Sequence, residues 1–267
     1  MLQKMTRITQ IAKDQRTGKY GFVQYFENNV VEKIICFGKD VKEGTYKYTN
    51  NAGIIMEEDK IKYFGTLTVH FHNKPKKEMN SIDLCPSHSG RLGMSVSEDG
   101  CKLFIGSEEK KRGLRAYDIE TDSLLWRLGE GKIGNIYVYS TYLVCNTNRS
   151  IIKLDIDNGT VLNLIKSGTI EQIFDLGYPY VLADTISGKL CVINTESMKI
   201  IKNYGNSYRS NVINPSNCLS LIFLNAILHN NELTISGSEE YPNRNYQLSG
   251  SKKFNRIIDA DFHAAVE

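Results

Sequence analysis

This sequence is poor in the residues that announce a reactive centre. It has five histidines, five prolines and one tryptophan in 267 residues. His70 and His72 are the only histidines at ligand-like spacing, where strand alternation sets both on one face, but no cluster of further His or Cys accompanies them, so no metal is expected. Six cysteines (Cys36, Cys85, Cys101, Cys145, Cys191 and Cys218) are scattered without a Cys-x-x-Cys pair. That excludes a zinc-ribbon pattern and makes a poor disulfide framework for a chain of this length, so free thiols in a reducing, cytoplasmic setting are expected. A net charge of +3 gives no field that would attract nucleic acid or an anionic membrane. Lys74-Pro75-Lys76-Lys77 and Lys110-Lys111-Arg112 are the only basic clusters, and both read as solvated loops. The longest apolar run, 218–228, is too short to span a bilayer and is interrupted by Ser220 and Asn225, and residues 1–7 hold no signal-like run. Gly-x-Ser-x-Gly, His-Glu-x-x-His and phosphate-loop motifs are absent. No catalytic residue or cofactor is therefore expected.

What the sequence does contain is one pattern written three times within 97–206. Leu114-Arg115-Ala116-Tyr117-Asp118 leads through a polar stretch to Leu124-Leu125-Trp126; Ile152-Lys153-Leu154-Asp155 leads through Ile156-Asp157-Asn158-Gly159 to Val161-Leu162; Cys191-Val192-Ile193-Asn194 leads to Ile200-Ile201. Asp118, Asp155 and Asn194 lie 37 and 39 residues apart. In each copy an apolar strand ends at an Asx residue, whose side chain favours a turn by bonding the backbone ahead of it. Each copy thus predicts a β-hairpin. A second hairpin precedes each: the Ser97-Glu98-Asp99-Gly100 turn before Lys102, 136–139 against 142–145 across Ser140-Thr141, and 173–176 against 180–183 across Gly177-Tyr178-Pro179. Two hairpins in about 40 residues make four strands, the size of one propeller blade.

The Ala116-Tyr117-Asp118 … Thr121-Asp122 … Leu125-Trp126 copy resembles the A-x-D-x-x-T-G-x-x-x-W repeat of quinoprotein-like β-propellers, and Ser97-Glu98-Asp99-Gly100 … Phe104-Ile105-Gly106 is similar to the hairpin of WD-repeat propellers. Asp122 and Met198 stand where the quinoprotein repeat has glycine, and there is no Gly-His or Trp-Asp pair of the WD type. The resemblance implies an all-β propeller of four-stranded antiparallel sheets. The length fits six blades, with five to seven compatible. A single domain over 1–267 is expected, with irregular blades in 1–90, regular repeats in 91–206 and an irregular closing blade in 207–267. Family tryptophans pack between blades, but Asn163 and Lys202 replace Trp126 in the other copies, which speaks against a quinone cofactor.

Outside the repeats, strands are expected at 6–12, 19–26, 30–37, 45–48, 53–56 and 60–71, with Glu57-Glu58-Asp59 as a turn. Residues 73–90 read as loop and as a candidate boundary. Residues 219–228 and 232–236 predict a hairpin across His229-Asn230-Asn231, 237–253 a polar loop, and 256–262 a last strand. Either that tail or 6–12 is expected to complete a sheet begun at the other terminus.

The recurring Asx residues read as turn formers rather than a ring of ligands. The fifteen tyrosines are more informative about function, because Tyr137, Tyr139, Tyr142, Tyr178, Tyr180, Tyr204, Tyr208, Tyr241 and Tyr246 lie near hairpin ends or in loops. Tyrosine brings contact area and one hydrogen bond at low entropy cost. The expected function is non-catalytic binding of another protein, with Tyr137, Tyr139, Tyr142, Tyr178, Tyr180, Tyr208 and Tyr241 as contact residues. The Lys-, Asn- and Ile-rich composition and the degenerate repeats resemble bacterial accessory proteins, which implies an immunity protein neutralising a toxin. A propeller hydrolase or lyase with a scattered site, and an assembly scaffold, are the alternatives.

Overall fold

The structure is a computed structural model that describes residues 7–14, 19–26, 28–49, 55–83, 93–106, 113–129, 133–147, 149–166, 170–185, 190–205, 220–229, 232–242 and 248–259. These residues form twenty strands and no helix. The first five are β1 (Arg7–Asp14), β2 (Lys19–Tyr25), β3 (Val31–Thr49), β4 (Ile55–Phe71) and β5 (Lys77–Asp83). Then come β6 (Gly93–Val96), β7 (Lys102–Gly106), β8 (Leu114–Asp118), β9 (Leu124–Leu128), β10 (Ile133–Val138), β11 (Tyr142–Thr147), β12 (Ser150–Asp155) and β13 (Val161–Lys166). The rest are β14 (Ile170–Asp175), β15 (Tyr180–Thr185), β16 (Leu190–Asn194), β17 (Lys199–Gly205), β18 (Ser220–His229), β19 (Glu232–Pro242) and β20 (Leu248–Asp259). They group in sequence order into a five-stranded sheet (β1 to β5), three four-stranded sheets (β6 to β9, β10 to β13, β14 to β17) and a three-stranded sheet (β18 to β20). Every sheet is a meander in which each strand pairs with its sequence neighbour, so hairpin turns alone set the order. The three four-stranded meanders coincide with the three copies of the repeat, and each hairpin expected there forms.

Several expectations outside the repeats fail, for identifiable reasons. Glu57, Glu58 and Asp59 are no turn; they lie inside β4, opposite Lys47, Tyr46 and Thr45. Pairing sets Glu57 against Lys47, an opposite-charge position that suits a strand. Residues 77–83 form β5 instead of a loop: Met79 and Ile82 are three apart, which spoils the period of two, yet a register shift lets both be buried. Residues 237–253 were expected to be loop but supply parts of β19 and β20, where the ladder sets Glu239 opposite Lys252 and Ser238 opposite Lys253. Neither terminal strand completes the other terminus's sheet among the described residues, since β1 pairs with β2 and β20 with β19.

Chain contacts divide the molecule into two compact units, one holding Met5–Tyr142 with Ile156–Thr160, the other Leu143–Asp155 with Val161–Glu267. In the first, Ile34, Cys36, Leu67, Val69 and Met79 form one core with Met94, Val96, Leu103, Ile105 and Tyr117. Gln24 is buried beside it and donates to the Met94 carbonyl at 2.6 Å. In the second, Leu143, Val144, Ile151, Leu154, Val181, Leu182, Val192 and Ile193 are fully buried.

Candidate functional site at the turn ends of the repeated sheets

In an antiparallel meander the turn joining the first two strands and the turn joining the last two leave from the same end. The three repeats tie these turns together identically. The amide after the Asx residue donates to the last residue of the preceding turn: Ile119 to Cys101 O at 2.9 Å, Ile156 to Thr141 O at 3.3 Å and Thr195 to Pro179 O at 2.7 Å. Asx side chains hold the second turn. Asp118 accepts from the Thr121 amide at 2.8 Å and the Thr121 hydroxyl at 2.9 Å, Asn158 from the Thr160 amide at 2.8 Å, and Asn194 from the Glu196 and Ser197 amides at 2.9 and 3.0 Å. These bonds hold the Asp118 carboxyl below its ordinary value, the Thr121 amide contributing most.

Four residues past each Asx position the backbone is left-handed: Asp122 has φ 60°, Gly159 φ 71° and Met198 φ 51°. This is the slot where the resembled repeat carries glycine, so Asp122 and Met198 occupy it against a cost of about 1–2 kcal/mol each. Seven past the Asx position each outer strand carries a bulge, at Leu125, Leu162 and Ile201. In the first copy the bulge re-aims Trp126, whose indole N–H donates to Ile156 O at 3.1 Å. Gly159 lies against that ring, and a Cβ there would stand 2.5 Å from Trp126 Cε3. Trp126 is therefore seated against the turn between β12 and β13.

A lysine from a neighbouring sheet reaches the position two past each Asx. Lys77 Nζ donates to Glu120 O at 2.6 Å, Lys102 Nζ to Asp157 Oδ1 at 2.6 Å and Lys153 Nζ to Glu196 O at 2.9 Å. The Asp157 hydrogen bond raises the Lys102 pKa, and burial lowers that of Lys153. Most polar side chains of the turns are thus committed to the fold.

The tyrosines divide sharply. Tyr139 and Tyr142 flank the Ser140-Thr141 turn but are buried, with ring centroids 4.9 Å apart, so they pack on each other and offer no contact surface. Tyr137, Tyr180 and Tyr204 are half-buried. Tyr241 lies in β19 opposite Gly250, and Tyr208 and Tyr246 fall outside the described residues. Tyr178 is 53% exposed in the turn ahead of β15, and its hydroxyl donates to the Glu196 carboxylate. Lys153, Glu196 and Tyr178 thereby form one linked group that reading strands alone misses. Aligning Glu196 with Glu120 and Asp157 was the available signal. At the base of the same turn the Asp175 carboxyl accepts the Gly177 amide at 3.0 Å, and burial pushes its pKa up to about 6.

His72 follows the end of β4, where its amide donates to Val30 O at 3.0 Å and its Nε2 lies 3.1 Å from Asn28 O. No group of three or more His, Cys, Asp or Glu suited to a metal occurs among the described residues. Burial pushes the thiol of Cys145 up to about 12 and that of Cys191 to about 11, which keeps both protonated and unreactive.

No protein-family model and no curated protein matches the chain. Among solved structures it is similar to BamB from Moraxella catarrhalis, at 11% identity over 94% of this chain and 91% of that one, with a TM-score of 0.46. It is similar to the Cps50 (Swd1) β-propeller domain from Myceliophteria thermophila at 14% identity over 81% and 74%, TM-score 0.45. Saccharomyces cerevisiae Sqt1 aligns at 12% identity over 88% and 68%, TM-score 0.46. Likenesses this distant carry no activity or partner across. The four-stranded meanders, recurring at a blade-sized period with the same ties, bulges and left-handed slots, place the chain in the β-propeller fold class.

Proposed function

We propose that the chain is a non-catalytic module that binds another protein through the turn ends of its repeated sheets. The observation that carries this reading is Tyr178, an exposed ring whose hydroxyl is already held by Glu196, itself fastened by Lys153. A side chain ordered before binding loses little rotamer freedom on binding, and tyrosine is favoured at binding hot spots. The finer reading is an immunity protein in a reducing compartment that occludes the active face of a toxin domain, over an interface on the order of 1,600 Å². Lys-, Asn- and Ile-rich composition supports it.

The test is native mass spectrometry of the chain co-expressed with the product of its neighbouring gene. A 1:1 complex that survives dilution, and that Tyr178→Ala weakens by about tenfold or more, is the expected result. A bare 30.3 kDa species removes the toxin-inhibitor reading. A complex indifferent to Tyr178→Ala removes the turn-end surface.

A second reading, a hydrolase or lyase, has one supporting observation: Asp175, a carboxyl with its pKa moved towards neutrality beside an exposed turn. Turnover in a substrate screen that Asp175→Asn abolishes would favour it over the binding module.

A further inference from the structure

The last strand of each repeated sheet is an edge: among the described residues β9, β13 and β17 pair on one side only, with β8, β12 and β16. These edges carry bare apolar side chains, since Leu124, Leu125, Val161, Leu162, Leu164 and Ile200 are 41–52% exposed. The charged residues of the three strands are Arg127, Lys166, Lys199 and Lys202, with no acid among them. The strands differ in how open they are. Trp126 is buried in the middle of β9, and Ile201 and Lys202 are half-buried in β17, whereas five of the six residues of β13 are exposed. The backbone of β13 agrees. The Leu164 amide donates to Oδ1 of the adjacent Asn163 at 2.8 Å rather than to β12, so it points to the outer side of the strand. By strand alternation the Lys166 amide points the same way. An edge with outward amides and exposed apolar side chains is a template for a further strand.

We propose that β13 takes up an extended segment of a partner protein as a fifth strand of its sheet, and that this segment carries an acid beside apolar residues. The order along β13 sets the pattern. Val161, Leu162 and Leu164 lead to Lys166, and Arg149 directly precedes Ser150, the residue paired with Lys166. Leu164 and Lys166 share one face of the strand. An added strand therefore sets an apolar side chain against Leu164 and, two residues on, a carboxylate against Lys166, an opposite-charge cross-strand pair. Its carbonyl replaces Asn163 Oδ1 at the Leu164 amide. In strand addition of this kind main-chain hydrogen bonds give the affinity and alternate side chains the specificity. A second copy of this chain would bring the same apolar and basic strand, with no acid to meet Lys166, so charge favours a different partner. The edge does not include Tyr178; it stands apart from the turn-end surface, and neither proposal depends on the other.

The experiment follows the fluorescence anisotropy of a blocked, dye-labelled heptapeptide, Glu-Thr-Val-Thr-Val-Thr-Glu, titrated with the full chain. Its residue order is the same in either direction, so it suits a parallel or an antiparallel partner. Wild type is expected to bind it, less tightly as salt rises, and to bind the analogue with lysine in place of glutamate about tenfold more weakly. Leu164→Pro removes an amide that makes no bond to β12, a change that edge strands tolerate. It is expected to weaken binding about tenfold beyond Leu164→Ala, which loses the same side chain and keeps the amide. Lys166 is exposed, and Lys166→Glu is expected to reverse the preference between the two peptides. Tyr178→Ala is expected to bind as wild type does. No binding by wild type, equal binding of the two peptides, or indifference to Leu164→Pro and Lys166→Glu overturns the proposal. Loss of binding in Tyr178→Ala also overturns it, by moving the peptide to the turn ends. So does a dimer in sedimentation velocity that Leu164→Pro dissolves while no peptide binds, which assigns the edge to a second copy.

Discussion

Replacing Gly159 with alanine tests whether Trp126 is seated by backbone shape. The methyl group would stand 2.5 Å from Cε3 and 2.7 Å from Cδ2 of Trp126, both ring atoms with no flexible end to yield. The backbone there has φ 71°, which costs an L-residue about 1–2 kcal/mol. Overpacking adds about 1–3 kcal/mol. Displacing the ring also strains the indole bond to Ile156 O, worth about 0.5–1.5 kcal/mol. The expected loss is about 2.5–6.5 kcal/mol in urea unfolding, by summation of those terms. Trp126 is the only tryptophan, so its emission reports the seat directly, with a red shift in the folded variant. Far-ultraviolet circular dichroism in a Trp126→Ala background separates the contributions: the steric part vanishes there and only the cost of about 1–2 kcal/mol for φ remains. A Gly159→Ala protein within 1 kcal/mol of wild type and with unshifted emission would refute the reasoning.

The left-handed slots predict different outcomes for one substitution. Asp122→Gly relieves backbone strain but gives up a half-buried ion pair to Lys77 at 3.5 Å and the bond from the Asn80 amide at 3.3 Å, so stability is expected to stay within about 1 kcal/mol of wild type; a loss above that figure contradicts it. Met198→Gly relieves the same strain but removes a buried side chain, and a net loss of about 1–3 kcal/mol is expected in the same melt. For Asp175, burial raises the folded-state pKa to about 6, above the unfolded value near 3.9. The folded state then holds the proton more tightly, so wild type loses about 3 kcal/mol relative to Asp175→Asn as pH rises from about 4 to 7; parallel stability curves for the two proteins would refute this. Truncation after Asn255 removes four register pairs of β20, from Arg256↔Ile235 to Asp259↔Glu232, and a melting midpoint several degrees lower is expected. An unchanged midpoint would mean that the end of β20 contributes nothing.

The repeats were readable because turn chemistry is local. An Asx side chain, the residues it caps and the left-handed slot four positions on are all fixed by neighbours in sequence, so spacing alone located the hairpins at Asp118, Asp155 and Asn194. The same reading failed at β5 because a register shift, invisible in the residue pattern, puts Met79 and Ile82 on the buried side together. It failed at Glu57-Glu58-Asp59 because the opposite strand, β3, supplies Lys47 from ten residues away.

Local sequence therefore determined where the chain turns and how many strands a repeat holds. Tertiary structure alone decided which of those residues face outward. Tyr139, Tyr142 and Tyr178 are alike in type and each lies at a hairpin turn, yet only Tyr178 is exposed. Burial is set by what packs over a strand end, and that comes from residues distant in sequence. Trp126 shows the same division: its own strand supplies the bulge, but the seat is a glycine 33 positions further on, brought beneath the ring by a different sheet.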